Sequence, residues 1–120
     1  MIYVLEDDAN IRKLVDYALT REGYSVEGFG TPAEFWAAVG RQIPQLVLLD
    51  IMLPGLNGLE ATAAIRVLDH PQARTMPIIA LTANAYQEDA AKCIAAGMNA
   101  HLSKPLDTGK LLRTLAELVK

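Results

Sequence analysis

Two short stretches of this chain, 46–49 (Leu-Val-Leu-Leu) and 78–81 (Ile-Ile-Ala-Leu), contain no polar side chain. A strand with one face in water alternates polar and apolar residues. A strand without that alternation needs cover on both faces. Covered strands of this length belong in the middle of a parallel sheet sandwiched between helices. Further β-rich runs stand at 2–5 and 25–29 and, more weakly, at 100–102.

Segments of helical period lie between the runs. Ile11, Leu14, Val15, Ala18 and Leu19 make one helical face, with Gly23 placed to end it. Thr31-Pro32-Ala33-Glu34 reads as a capping box with proline at the first helical position, leading into Phe35, Trp36 and Val39. Leu59, Ala63 and Leu68, with Ile65 beside them, predict a third helix. Residues 86–96 predict a fourth, stopped by Gly97. Asp107 caps a fifth, whose buried side is Leu111, Leu112, Leu115, Leu118 and Val119. Strands alternating with helices imply βαβ units with right-handed crossovers and helices on both faces. The 120 residues then read as one domain spanning 1–120.

Composition narrows the function. Net charge is −3 and no basic stripe appears, which argues against direct nucleic-acid binding. The single cysteine, Cys93, excludes an intrachain disulfide and suits a reducing compartment. No apolar stretch is long enough to span a bilayer, and no secretory signal pattern opens the chain. A cytoplasmic location is the expectation.

In open parallel sheets the site forms beyond the C-terminal ends of the strands. Strand one runs out into Glu6-Asp7-Asp8, strand three into Asp50, strand four into Thr82 and strand five into Ser103-Lys104-Pro105. Two carboxylates about 4 Å apart repel by roughly 4 kcal/mol at an effective dielectric near 20. A hard divalent cation relieves that repulsion, and all-oxygen ligands favour Mg²⁺, with Mn²⁺ a substitute. No His/Cys cluster suggests zinc. A carboxylate can also act as a nucleophile and form an aspartyl phosphate. That reaction needs neutralised phosphoryl oxygens, which a metal, the Lys104 ammonium and the Thr82 hydroxyl could serve.

Val4-Leu5-Glu6-Asp7-Asp8, Leu48-Leu49-Asp50-Ile51-Met52-Leu53-Pro54 with Gly58, Ala80-Leu81-Thr82-Ala83, Gly97-Met98-Asn99-Ala100 and Ser103-Lys104-Pro105 occur in this order. Together they resemble the receiver domain of two-component response regulators over nearly the whole chain. The first half, through Gly58, is similar to receivers of winged-helix regulators. The second half, especially 80–106, is similar to receivers of hybrid histidine kinases, as in natural drift, recombination or a chimera.

The resemblance implies a flavodoxin-like (βα)5 three-layer sandwich with sheet order 2-1-3-4-5, an order for which a chemotaxis receiver is a standard illustration. It implies Asp50 as phosphoacceptor, Asp7 as a direct metal ligand, Glu6 as a second acid often acting through water, and the Met52 backbone carbonyl as the remaining ligand. It makes Thr82 the switch hydroxyl and Lys104 the phosphate-binding lysine, with a cis bond to Pro105. His101 occupies the aromatic switch position, a departure that adds a titratable ring. The implied partners are a histidine kinase or histidine phosphotransfer protein and an effector outside this chain. Homodimers in the family often use the fourth helix, fifth strand and fifth helix.

Several residues have plainer readings. Asp8 reads best as a helix N-terminus and His70 as an exposed loop residue. Cys93 reads as inert. One of Phe35 and Trp36 should pack on the sheet, with no cofactor role. The alanine-rich fourth helix could offer a flat face to a partner. Met52, two residues after Asp50, cannot orient a water, so self-dephosphorylation should be slow. The same residue disfavours a metal-dependent phosphatase, which needs an acid there. Acids after strand one disfavour a flavin-binding module. The alternative function is a degenerate or chimeric receiver that only docks; in neither case is the domain an enzyme acting on other substrates.

Overall fold

A computed structural model describes residues 1–50, 52, 53, 56–68, 70–82, 97–103 and 106–118, and for 52, 53, 56–59 and 82 it describes the backbone. Five parallel strands form the sheet: β1 (Ile2–Leu5), β2 (Val26–Phe29), β3 (Leu46–Asp50), β4 (Ile78–Thr82) and β5 (Ala100–Ser103). Their order is 2-1-3-4-5, as expected. β3 is buried throughout and Ile78 to Leu81 of β4 are buried with it, which accounts for the missing alternation.

Alternate residues of the central strands feed two separate cores. Tyr3, Leu5, Val47, Leu49, Ile78 and Ala80 face one layer, with Phe35 and Val39 of α2 (Pro32–Arg41) and Ile65 of α3 (Gly58–Arg66). Ile2, Val4, Leu46, Leu48, Ile79 and Leu81 face the other. There they meet Val15 and Leu19 of α1 (Ala9–Arg21) and Leu111 and Leu115 of the C-terminal helix (Thr108–Leu118). In the first core, Tyr3, Phe29 and Phe35 pack edge to face at 5.1 to 6.4 Å. The Tyr3 hydroxyl donates to the Gln42 carbonyl at 3.1 Å. Phe35 is fully buried and Trp36 packs on its edge at 5.2 Å, so Phe35 is the residue that meets the sheet.

The caps follow the sequence. The Thr31 hydroxyl accepts from the Glu34 amide with Pro32 at the first turn. Asp107 accepts from the Gly109 amide at 2.8 Å and from the Lys110 amide. α1 ends in a Schellman motif: the Tyr24 amide donates to the Leu19 carbonyl and the Gly23 amide to the Thr20 carbonyl. Gly23 takes φ +91°, which an L side chain rarely adopts.

Two local expectations need correction. Leu14 is 40% exposed, because α1 sits between β2 and the C-terminal helix and its apolar stripe is narrower than the sequence pattern. α3 buries Ala61, Thr62 and Ile65 and leaves Ala63 exposed. It ends at Arg66, so Leu68, which packs on the same core, lies beyond the helix. The loop after β3 contains a short antiparallel pair, Met52–Leu53 with Leu56–Asn57. The predicted fourth helix over 86–96, with Cys93, lies outside the described residues, as does Val119.

At the edge where the strands begin, Arg66 gathers several acceptors. Its guanidinium donates to the carbonyls of Gly97 (2.6 and 3.1 Å), Ala73 (3.1 Å) and Met76 (2.6 Å) and to Asn99 Oδ1 (2.9 Å). Asn99 also accepts from the Ile78 amide. One side chain thereby ties α3 and the 3₁₀ turn Pro71–Arg74 to the starts of β4 and β5. Burial pushes the Arg66 pKa down, and the four acceptor atoms hold its charge.

Candidate functional site

The opposite edge collects the acids. β1 and β3 are neighbours in register, Leu5 opposite Leu49. The next residue on each is therefore an acid beside an acid, Glu6 and Asp50. Glu6 is 0% exposed and Asp50 3%, whereas Asp7 reaches solvent. Carboxylate oxygens of Glu6, Asp7 and Asp50 all lie within 4.8 Å of one another. Buried carboxylates at such a separation repel by about 3 kcal/mol at an effective dielectric of about 20.

The donor set suits a hard cation. Oxygens bound directly to one Mg²⁺ at about 2.1 Å stand no more than about 4.2 Å apart. A spread of up to 4.8 Å fits two direct ligands and a third reached through water or by a small adjustment. With all-oxygen donors and one exposed member that leaves room for water, Mg²⁺ or Mn²⁺ fits best.

The turn carrying these acids is held by its own backbone. The Glu6 amide donates to the Phe29 carbonyl at 3.1 Å, tying the end of β1 to β2. Asp8 accepts from the Asn10 and Ile11 amides at 2.8 and 3.4 Å, so it caps α1, as its plainer reading holds. The Asp8 amide donates to Glu6 Oε1. Arg12, from the first turns of α1, donates through Nη1 to the Glu6 carbonyl at 2.6 Å. The sequence reasoning missed this contact. Its one signal was Gly30, just past the end of β2, where a side chain would crowd the tip of Arg12.

The remaining predicted residues fall as follows. Thr82 closes β4 and pairs with Ser103 at the end of β5. His101 is half-buried on β5 opposite Ala80. Met52 opens the short antiparallel pair two residues beyond Asp50. The Thr82 side chain, Lys104 and Pro105, and with them the predicted cis bond, lie outside the described residues. His70 is exposed and caps the 3₁₀ turn, its Nδ1 accepting from the Gln72 amide. Among the described residues no helix is long and apolar enough to cross a membrane.

Known proteins share this fold. The phosphate regulon transcriptional regulatory protein PhoB of Rhizobium meliloti (strain 1021) is 29% identical over 99% of this chain, which spans 52% of that protein's length. The chemotaxis protein CheY4 of Vibrio cholerae superposes with a TM-score of 0.89 at 27% identity, covering 98% of this chain and 97% of that one. The receiver domain of sensor histidine kinase PA1611 from Pseudomonas aeruginosa PAO1, solved with a magnesium ion coordinated in its active-site cleft, gives 0.84 at 36% identity over 98% and 94%. The family model "Response regulator receiver domain" matches residues 2–116, and the chain belongs to that family.

Proposed function

We propose that residues 1–120 form one receiver domain working as a Mg²⁺-dependent phosphorylation switch, with Asp50 as the phosphoacceptor. The observation that carries this reading is a nearly buried Asp50 at the end of a central strand, its carboxylate within 4.8 Å of those of Glu6 and Asp7. The magnesium-bound receiver of PA1611 supports it by likeness.

The donor would be a phosphohistidine on a histidine kinase or a phosphotransfer protein. An oxygen of the Asp50 carboxylate attacks phosphorus as the P–N bond breaks. The electron pair leaves on the imidazole nitrogen, which takes up a proton. Glu6, Asp7 and the Met52 carbonyl would hold the cation, which when bound supplies positive charge to the phosphoryl oxygens. β3 holds Asp50 at the sheet edge, where its aim is set before the donor arrives. Lys104 would add a point charge and Thr82 a hydroxyl donor. The new charge draws these two inward, His101 follows, and the face around β5 changes for an effector beyond this chain or a second copy. With Met52 where an amide or acid would orient water, the aspartyl phosphate is lost slowly. The domain acts in the cytoplasm and turns over no other substrate. Docking without phosphorylation is the alternative.

Incubation with Mg²⁺ and acetyl phosphate, read by intact-mass spectrometry, tests this reading. The wild type should gain about 80 Da, the mass of one phosphoryl group, only with Mg²⁺, and Asp50→Asn should gain nothing. A folded wild type that gains no mass returns the docking-only reading.

A further inference from the structure

We propose that Arg12 is a positioning residue for the metal-binding acids, its tip seated in space that Gly30 leaves open. The inference rests on the reading of Glu6, Asp7 and Asp50 as a Mg²⁺ site.

The Glu6–Asp7 peptide group sets where both acids point. The Glu6 side of that turn is tied to β2 through its amide, and Glu6 itself is buried. Asp7 is exposed, so packing does little to aim it and its backbone must. The atom that orients the shared peptide plane is the Glu6 carbonyl oxygen, and Arg12 Nη1 holds that atom at 2.6 Å. A charged donor on a carbonyl makes one of the stronger protein hydrogen bonds. Arg12 also starts from a rigid base, since α1 is capped by Asp8, the next acid in the same turn.

The arginine runs past Gly28 and Gly30, and its tip comes closest to Gly30. A Cβ on Gly28 would stand 3.4 Å from Arg12 Cδ, and one on Gly30 would stand 3.0 Å from Arg12 Nη1. Neither glycine has a positive φ.

The sign of the effect on metal binding separates positioning from simple charge. A guanidinium near the site repels a dication, so if Arg12 acted only as a charge, removing it would tighten Mg²⁺. If Arg12 aims the acids, removing it weakens Mg²⁺, as losing the partner of a metal-ligand residue does. Lysine keeps the charge but offers a shorter reach and no planar fork, so it should restore only part of the effect.

The test is calorimetric titration of the metal-free protein with MgCl₂, alongside urea unfolding without metal. Arg12→Met should weaken Mg²⁺ about tenfold and Arg12→Lys should fall between it and wild type. Gly30→Ala, which crowds Nη1, should weaken Mg²⁺ in the same direction and keeps the test open if Arg12→Met does not fold. Gly23→Ala is the stability control: it should lower the urea midpoint and leave Mg²⁺ affinity unchanged. Arg12→Met binding Mg²⁺ as tightly as wild type, or more tightly, overturns the positioning role. A folded wild type that binds no Mg²⁺ overturns the metal-site reading beneath it, a result separate from the first.

Discussion

At the edge where the strands end, three carboxylates gather within 4.8 Å of one another. At the edge where the strands begin, one guanidinium meets four backbone and side-chain oxygens. Both edges concentrate charge, but the chemistry of the gathering differs. Around Arg66 the acceptors, among the described residues, are neutral dipoles: three carbonyls and an amide oxygen. Around Asp50 three carboxylates stand close together, a set of oxygen donors that suits a hard cation. The first is a fastener. The second is a receptive site, whose stability should rise when its ligand binds.

The comparison can be broken at either edge. Arg66→Met should have the largest effect, lowering unfolding stability by about 3 kcal/mol because several carbonyls lose a charged donor at once. Mg²⁺ affinity should change less than about twofold, since the two edges lie at opposite ends of the strands. Urea melts with and without Mg²⁺ read both quantities. If Arg66→Met also abolished Mg²⁺ binding, the division between fastener and site would fail. Asp7→Ala should do the reverse: Mg²⁺ affinity falls by about tenfold, while metal-free stability holds or rises as a like charge leaves the cluster. Calorimetry and the urea midpoint decide it. Asp8→Ala sharpens the distinction inside one turn. It should cost about 1 kcal/mol of stability through the lost helix cap, with Mg²⁺ binding reduced less than in Asp7→Ala.

The sheet was legible because strand burial writes directly into composition. The apolar runs 46–49 and 78–81 could only be central, and once they were placed, the topology brought Glu6, Asp7 and Asp50 to one edge. The caps at Thr31, Asp107 and Gly23 were legible for a similar reason: each depends on residues one to three positions away. The α3 face was misjudged because apolar letters alone do not mark where a helix stops, and this one ends at Arg66, before Leu68. The roles of Arg66 and Arg12 were invisible because their acceptors are backbone carbonyls. A carbonyl has no letter in the sequence, and only the folded path shows which ones converge. Gly30 was the faint trace of one such convergence.

The two cores on either side of the sheet have a consequence for how such a chain can change length over evolution. β1, β3 and β4 each give alternate residues to opposite layers. Deleting or inserting one residue inside β3 would exchange Val47 and Leu49 for Leu46 and Leu48 across the sheet. It would also move Asp50 one step along the strand and turn it to the other side. Parity therefore links packing to chemistry. Descendants of this domain can gain or lose residues at the strand connections, but within β3 single-residue length changes are barred by both cores and by the acid at its end.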